Sequence, residues 1–95
     1  MAELDGLWDV RRVSGFLPPM IGVRKEISGA KGETKVGPFP GAPFDVIGLS
    51  LRYRAPFSGF VDELEPQGQG FAGRATFRGR AFGRFALTRF DQGGT

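Results

Sequence analysis

Glycine and proline interrupt this chain so often that no long helix fits between them. The 95 residues include 16 Gly and 7 Pro. In a helix interior Gly costs about 1 kcal/mol and Pro about 3 kcal/mol relative to Ala. No apolar stripe at three-to-four spacing persists anywhere, whereas alternation with a period of two recurs between the Gly/Pro clusters. The fold class this implies is all-β: an antiparallel meander of seven or eight short strands forming a sandwich or a small barrel, closed or incomplete.

The alternation also assigns faces. A first strand over Leu7–Ser14 puts Trp8 and Val10 on one side, Asp9 and Arg11 on the other. A second, Met20–Ser28, groups Ile21, Val23 and Ile27, and a short strand follows near Glu33–Val36. Residues 37–43 read as a proline-rich loop, with Phe39 and Phe44 as lid or plug. Phe44–Tyr53 reads as one continuous strand with Ile47, Leu49, Leu51 and Tyr53 on one face and Val46 on the other. In the next, Gly59–Glu65, Phe60, Asp62 and Leu64 face one way and Glu63 and Glu65 the other.

Phe71–Phe90 reads as a hairpin bent around Arg78-Gly79-Arg80. An odd-length loop there gives an apolar face of Phe71, Gly73, Ala75, Phe77, Ala81, Gly83, Phe85 and Leu87. Arg74, Thr76, Arg84 and Thr88 take the opposite face, with Phe82 as its apolar exception. Residues 1–95 read as one small domain, with 91–95 as a frayed tail.

Charge is uneven. Net charge is +3 with no His and no Cys. Those absences remove disulfides, thiol nucleophiles, His-based triads and Cys/His metal sites, so no metal or cofactor is expected. Five arginines between Arg74 and Arg89 meet no acid. They alternate with Phe, so rings and charges point to opposite sheet faces. A stacking platform for nucleic acid needs both on one face, which places this reading last. No apolar run is long enough to span a membrane, and no membrane partner is expected. The lead-in Met1-Ala2-Glu3-Leu4-Asp5 lacks a basic region followed by an apolar run, so a cytoplasmic setting is expected.

Gly6-Leu7-Trp8 at the first strand, followed by an antiparallel meander, resembles the start of a lipocalin or, more broadly, a calycin barrel. The resemblance implies that Trp8 closes one end of the barrel and that an Arg near the end of the last strand packs over its ring. Arg89 stands at that place. It also implies an apolar small molecule held inside. Family barrels use a longer chain, so a shorter barrel, fewer strands, or completion by a second copy are the alternatives.

The ligand-lining candidates are Trp8, Leu49, Leu51, Tyr53, Phe60, Phe77 and Phe85. Asp62 is the sharpest local signal, because alternation turns its carboxylate inward. There it pairs with an Arg, has its pKa raised, or escapes to solvent through a register slip or a bulge. The leading reading is a non-catalytic binder of an apolar ligand. Self-association as a homodimer, suggested by Val46 and Phe82 on polar faces, is the alternative. A third reading is a barrel enzyme for isomerisation or cyclisation using Tyr53 and Asp62.

Overall fold

A computed structural model describes residues 4–39 and 41–90 of the chain; the tail expected over 91–95 lies outside them. Eight strands follow one another: β1 (Gly6–Gly15), β2 (Val23–Ser28), β3 (Lys31–Val36), β4 (Ala42–Ile47), β5 (Ser50–Tyr53), β6 (Phe60–Gln67), β7 (Gly70–Phe77) and β8 (Arg80–Arg89). Each pairs antiparallel with the next, and β1 also pairs with β8, so the meander closes into a complete barrel. Closure gives each of the eight described strands a partner on both sides.

In a meander the connections alternate between the two ends. The links β2–β3, β4–β5 and β6–β7, with the start of β1 and the end of β8, share one end; the other four links share the opposite end. The first end is packed shut. Trp8, Ile27, Phe44, Leu51, Leu64, Phe71 and Leu87 are buried there, and the Trp8 and Phe71 rings meet edge to face at 5.5 Å.

Several sequence expectations need correcting. Phe44–Tyr53 is a hairpin, not one strand: Gly48 adopts a φ of +61°, a two-residue turn forms, and Ile47 pairs with Ser50. That φ is routine for glycine and opens a hairpin turn of the II′ pattern. The turn reverses the face assignment before it. Ile47 is exposed, Leu49 sits in the turn, and Val46 packs against the core opposite Leu51. Strand β4 also begins inside the proline-rich segment, at Ala42, and Phe44 is a core plug while Phe39 is exposed.

Ile21 does not share a face with Val23 and Ile27. Gly22, with a φ of +80°, turns the chain just before β2, and Ile21 is left exposed. The last hairpin has a two-residue Arg78-Gly79 turn rather than an odd loop. A bulge opposite Thr76 then supplies the missing residue: Ala75 pairs with Gly83 while Thr76 pairs with Ala81. Gly83, Phe85 and Leu87 therefore still face inward as expected, but Ala81 is exposed and Phe82 is turned towards Phe60, ring centroids 6.0 Å apart. Thr76 is buried, its hydroxyl donating to the Val61 carbonyl at 2.8 Å. Both residues that suggested self-association, Val46 and Phe82, thus pack inward.

Candidate functional site

The second end of the barrel is not filled. A cavity of about 240 Å³ opens there. Its apolar wall comes from Val10 and Phe85 in the strands, Leu17 and Met20 from the β1–β2 loop, and Phe57 from the β5–β6 loop; Phe60 and Phe82 complete the rim side. Eight strands enclose just enough space for side chains or one small ligand. This volume lies between the cavity of about 150 Å³ that accepts benzene and the lower bound of about 300 Å³ for drug-sized ligands.

The inward glycines do not create that space. A Cβ on Gly73 would fall 2.3 Å from the Phe85 ring, and one on Gly83 would fall 2.5 Å from Leu17. Larger side chains already occupy the room that Gly73 and Gly83 leave. Ala75 does line the cavity.

Four polar side chains sit on the cavity wall: Lys25 of β2, Thr34 of β3, Tyr53 of β5 and Asp62 of β6. The Lys25 ammonium donates to Thr34 Oγ1 at 2.7 Å and to the Tyr53 hydroxyl at 2.6 Å, and meets Asp62 Oδ2 at 2.9 Å. Its donor capacity is thereby used up, which a buried lysine requires. The Tyr53 hydroxyl lies 2.6 Å from Thr34 Oγ1 and donates to Asp62 Oδ2 at 3.1 Å. One assignment satisfies every contact: Lys25 donates three times, Thr34 to Tyr53, and Tyr53 to Asp62. The rings of Phe44, Tyr53 and Phe85 surround the ammonium at 5.3–5.5 Å.

The electrostatics follow from burial and pairing. Burial pulls the Lys25 pKa down, but the adjacent Asp62 carboxylate and the Tyr53 hydroxyl outweigh it, and the net shift is upward from 10.5. Burial also raises Tyr53 above 10.0, against the opposing pull of Lys25. At neutral pH the cavity therefore presents an ammonium and a neutral phenol. Both the ammonium and the phenol meet Asp62 at Oδ2, and Asp62 lines the cavity.

Among the sequence candidates, Tyr53, Phe60 and Phe85 line this cavity, and so does Asp62. Asp62 is buried and paired, with lysine rather than arginine as partner. Trp8 and Leu51 belong to the packed end, Leu49 to the β4–β5 turn, and Phe77 packs against Phe60 with tilted rings 4.6 Å apart without lining the cavity. Sequence reasoning missed Lys25 and Thr34 of the polar cluster and, among the apolar lining residues, Leu17, Met20, Phe57 and Phe82. Lys25 had a signal, since it lies between Val23 and Ile27 with their parity.

At the packed end the Arg89 guanidinium lies 4.3 Å from the centre of the Trp8 ring and donates to the Asp5 carbonyl at 2.9 Å. Trp8 Nε1 donates to the Leu4 carbonyl at 2.9 Å. On the outer wall Glu63 pairs with Arg74; Phe71 and Phe85 are inside, on the face opposite Arg74 and Arg84.

Comparison with protein-family models, with curated proteins and with solved structures finds no match. What the chain's own structure defines is a closed eight-stranded antiparallel barrel, shut at one end by Trp8 and open at the other onto a cavity with a charged pair in its wall. That architecture is compatible with a small calycin-like barrel. No helix among the described residues is long and apolar enough to cross a membrane.

Proposed function

We propose that this chain is a small calycin-like binding protein, cytoplasmic and non-catalytic, whose ligand is a compact, largely apolar molecule carrying one hydrogen-bonding group. The observation that carries this reading is the contrast between the two halves of one barrel. One half is packed until Phe44 and Leu51 have no exposure; the other keeps a cavity whose apolar wall is interrupted by a single polar cluster. Pockets of that composition orient a ligand through a few polar groups while apolar contact supplies affinity. A ligand hydroxyl or amine would donate to the Asp62 carboxylate, and its apolar body, one or two rings in size, would lie against Phe57, Phe60 and Phe82.

Native mass spectrometry of untagged protein purified without detergent, followed by NMR titration with phenol, 2-naphthol and naphthalene, tests the reading. A retained mass lost on denaturation, or shifts centred on Met20, Tyr53 and Phe60 that are stronger for the alcohols, is the expected result. A bare mass together with no shift at those residues for any probe would overturn it.

The Tyr53–Asp62 contact of 3.1 Å supports one second reading, acid–base catalysis of an isomerisation or cyclisation. Asp62→Asn separates the two. Retained affinity with lost turnover of a bound ligand points to catalysis, and unchanged turnover removes Asp62 from it.

A further inference from the structure

The large apolar side chains that remain exposed are not scattered. Phe16 (91% exposed), Ile21 (90%), Phe39 (70%), Phe57 and Phe77 all lie at the open end, in or beside the links that surround the cavity. Ile47 alone, among the exposed large apolar residues described, sits at the packed end. Single exposed apolar residues need no explanation, but a group of them around one opening does.

The links at this end carry charge of one sign, although the Glu33 carboxylate of β3 lies against Gly41 in one of them. Residues 16–22, 37–41, 54–59 and 78–79 contain Arg54 and Arg78 and no Asp or Glu. Arg80 continues the series at the first residue of β8. Arg78 lies 5.5 Å from the Phe77 ring, whereas Nε and Nη2 of Arg54 both donate to the Asp45 carboxylate on the barrel wall, which answers its charge. Arg12 donates to the carbonyls of Gly15 and Leu17 at 2.8 and 2.9 Å, holding the stem of the loop that projects Phe16 and Ile21.

From this end we infer a docking surface for an anionic lipid bilayer. Phe16, Ile21 and Phe39 enter the interface, and Arg78 and Arg80 face the headgroup phosphates, while Arg54 stays paired with Asp45. Interfacial binding needs exposed apolar side chains beside cations, which together give the two signals that stable membrane attachment requires. It does not need a spanning segment, so the absence of one, on which the sequence-based expectation of no membrane partner rested, does not bear on it. A second copy of the chain fits this surface poorly. Two open ends meeting face to face would oppose the same arginines with no acid from their loops to answer them. Docked this way, the cavity mouth faces the bilayer, but docking itself does not depend on any ligand occupying the cavity.

Flotation of the full chain with phosphatidylcholine vesicles, with and without phosphatidylglycerol, is the test. Binding is expected to the anionic vesicles, weakened about tenfold or more in pure phosphatidylcholine or at high salt. The triple variant Phe16→Ser, Ile21→Ser, Phe39→Ser is expected to lose at least about tenfold, while Ile47→Ser at the packed end binds as the parent does. Circular dichroism and thermal unfolding confirm that both variants fold. No binding to anionic vesicles overturns the proposal, as does a triple variant that binds equally well. Two further results overturn it: a dimer abolished by the triple variant without vesicle binding, or tighter binding to a single-stranded oligonucleotide than to vesicles. A ligand-free but vesicle-binding protein would leave docking standing and remove only the binding function.

Discussion

The Lys25 ammonium and the Asp62 carboxylate meet at 2.9 Å inside the barrel, projected from strands that do not adjoin. Thr34 and Tyr53, from strands between β2 and β6, fill the space with hydroxyls that bond to the pair and to each other. The barrel interior has thus brought four separate strands to one polar point. Burying such a pair is expensive, and replacing it with apolar residues of similar volume is often neutral or better for stability. Retaining it beside a cavity makes sense when a ligand uses the cluster.

Breaking the pair exposes that cost. Lys25→Met leaves the Asp62 carboxylate buried without its cation and is expected to lower stability by about 3–5 kcal/mol. The double variant Lys25→Met, Asp62→Leu is expected to recover most of the loss while weakening ligand binding. Urea unfolding of the two single variants and the double closes the cycle. A single-variant cost below about 1 kcal/mol would mean that the pair is solvated rather than buried.

Alkaline pH acts on the same cluster. The folded state holds the Lys25 proton above its ordinary 10.5 and the Tyr53 proton above 10.0. In each case the unfolded chain releases its proton first as pH rises, so folding stability falls wherever the unfolded state binds fewer protons. The contribution of both groups is therefore intact below about pH 10 and is lost as pH climbs through the folded values. Chemical denaturation at increasing pH is expected to show this decline. The triple variant Lys25→Met, Tyr53→Phe, Asp62→Leu is expected to show a smaller one.

Much of this architecture is legible in the residues, and the misreadings share one cause. Period-two alternation correctly turns Trp8, Val10, Phe60, Asp62 and Leu64 inward and sends Glu63 outward to Arg74. The same parity puts Lys25 between Val23 and Ile27; applied to a lysine as it was to an aspartate, it would have offered Asp62 its partner. The errors arise where the phase of alternation changes. Gly48 reverses the chain inside an apolar run, Gly22 starts β2 later than its pattern suggests, and the bulge opposite Thr76 shifts the faces by one residue. A glycine in an alternating run fits a strand, a bulge or a turn equally well, and pairing with neighbouring strands decides among them. The cavity lay beyond reach for a different reason. Leu17 and Met20 enter it from a loop that has no periodicity to read.

The packed end makes a prediction of its own. Arg89 covers the single tryptophan, Trp8, and ties the Asp5 carbonyl to the last strand. Arg89→Ala is expected to cost about 1 kcal/mol and to red-shift Trp8 emission as water reaches the ring. Arg89→Lys restores charge without the planar guanidinium and is expected to recover less than half. Fluorescence-detected unfolding measures both effects on the same indole. Emission unchanged in Arg89→Ala would show that the arginine does not shield the ring.

Gly73 and Phe85 link the packing to the cavity. A methyl group on Gly73 would fall 2.3 Å from the Phe85 ring, too close for the ring to stay where it is. Phe85 lines the cavity, so the ring has one soft direction in which to move: into the empty space. Gly73→Ala is therefore expected to cost about 1–3 kcal/mol through overpacking, less if the ring swings freely, and to shrink the cavity in either case. Ligand affinity falls with it, more steeply for 2-naphthol than for phenol because the larger probe needs the lost volume. Thermal unfolding combined with NMR titration of both probes reads the two effects separately. Loss of stability with unchanged affinity for both would place the bound ligand nearer Phe57 and Phe82 than Phe85.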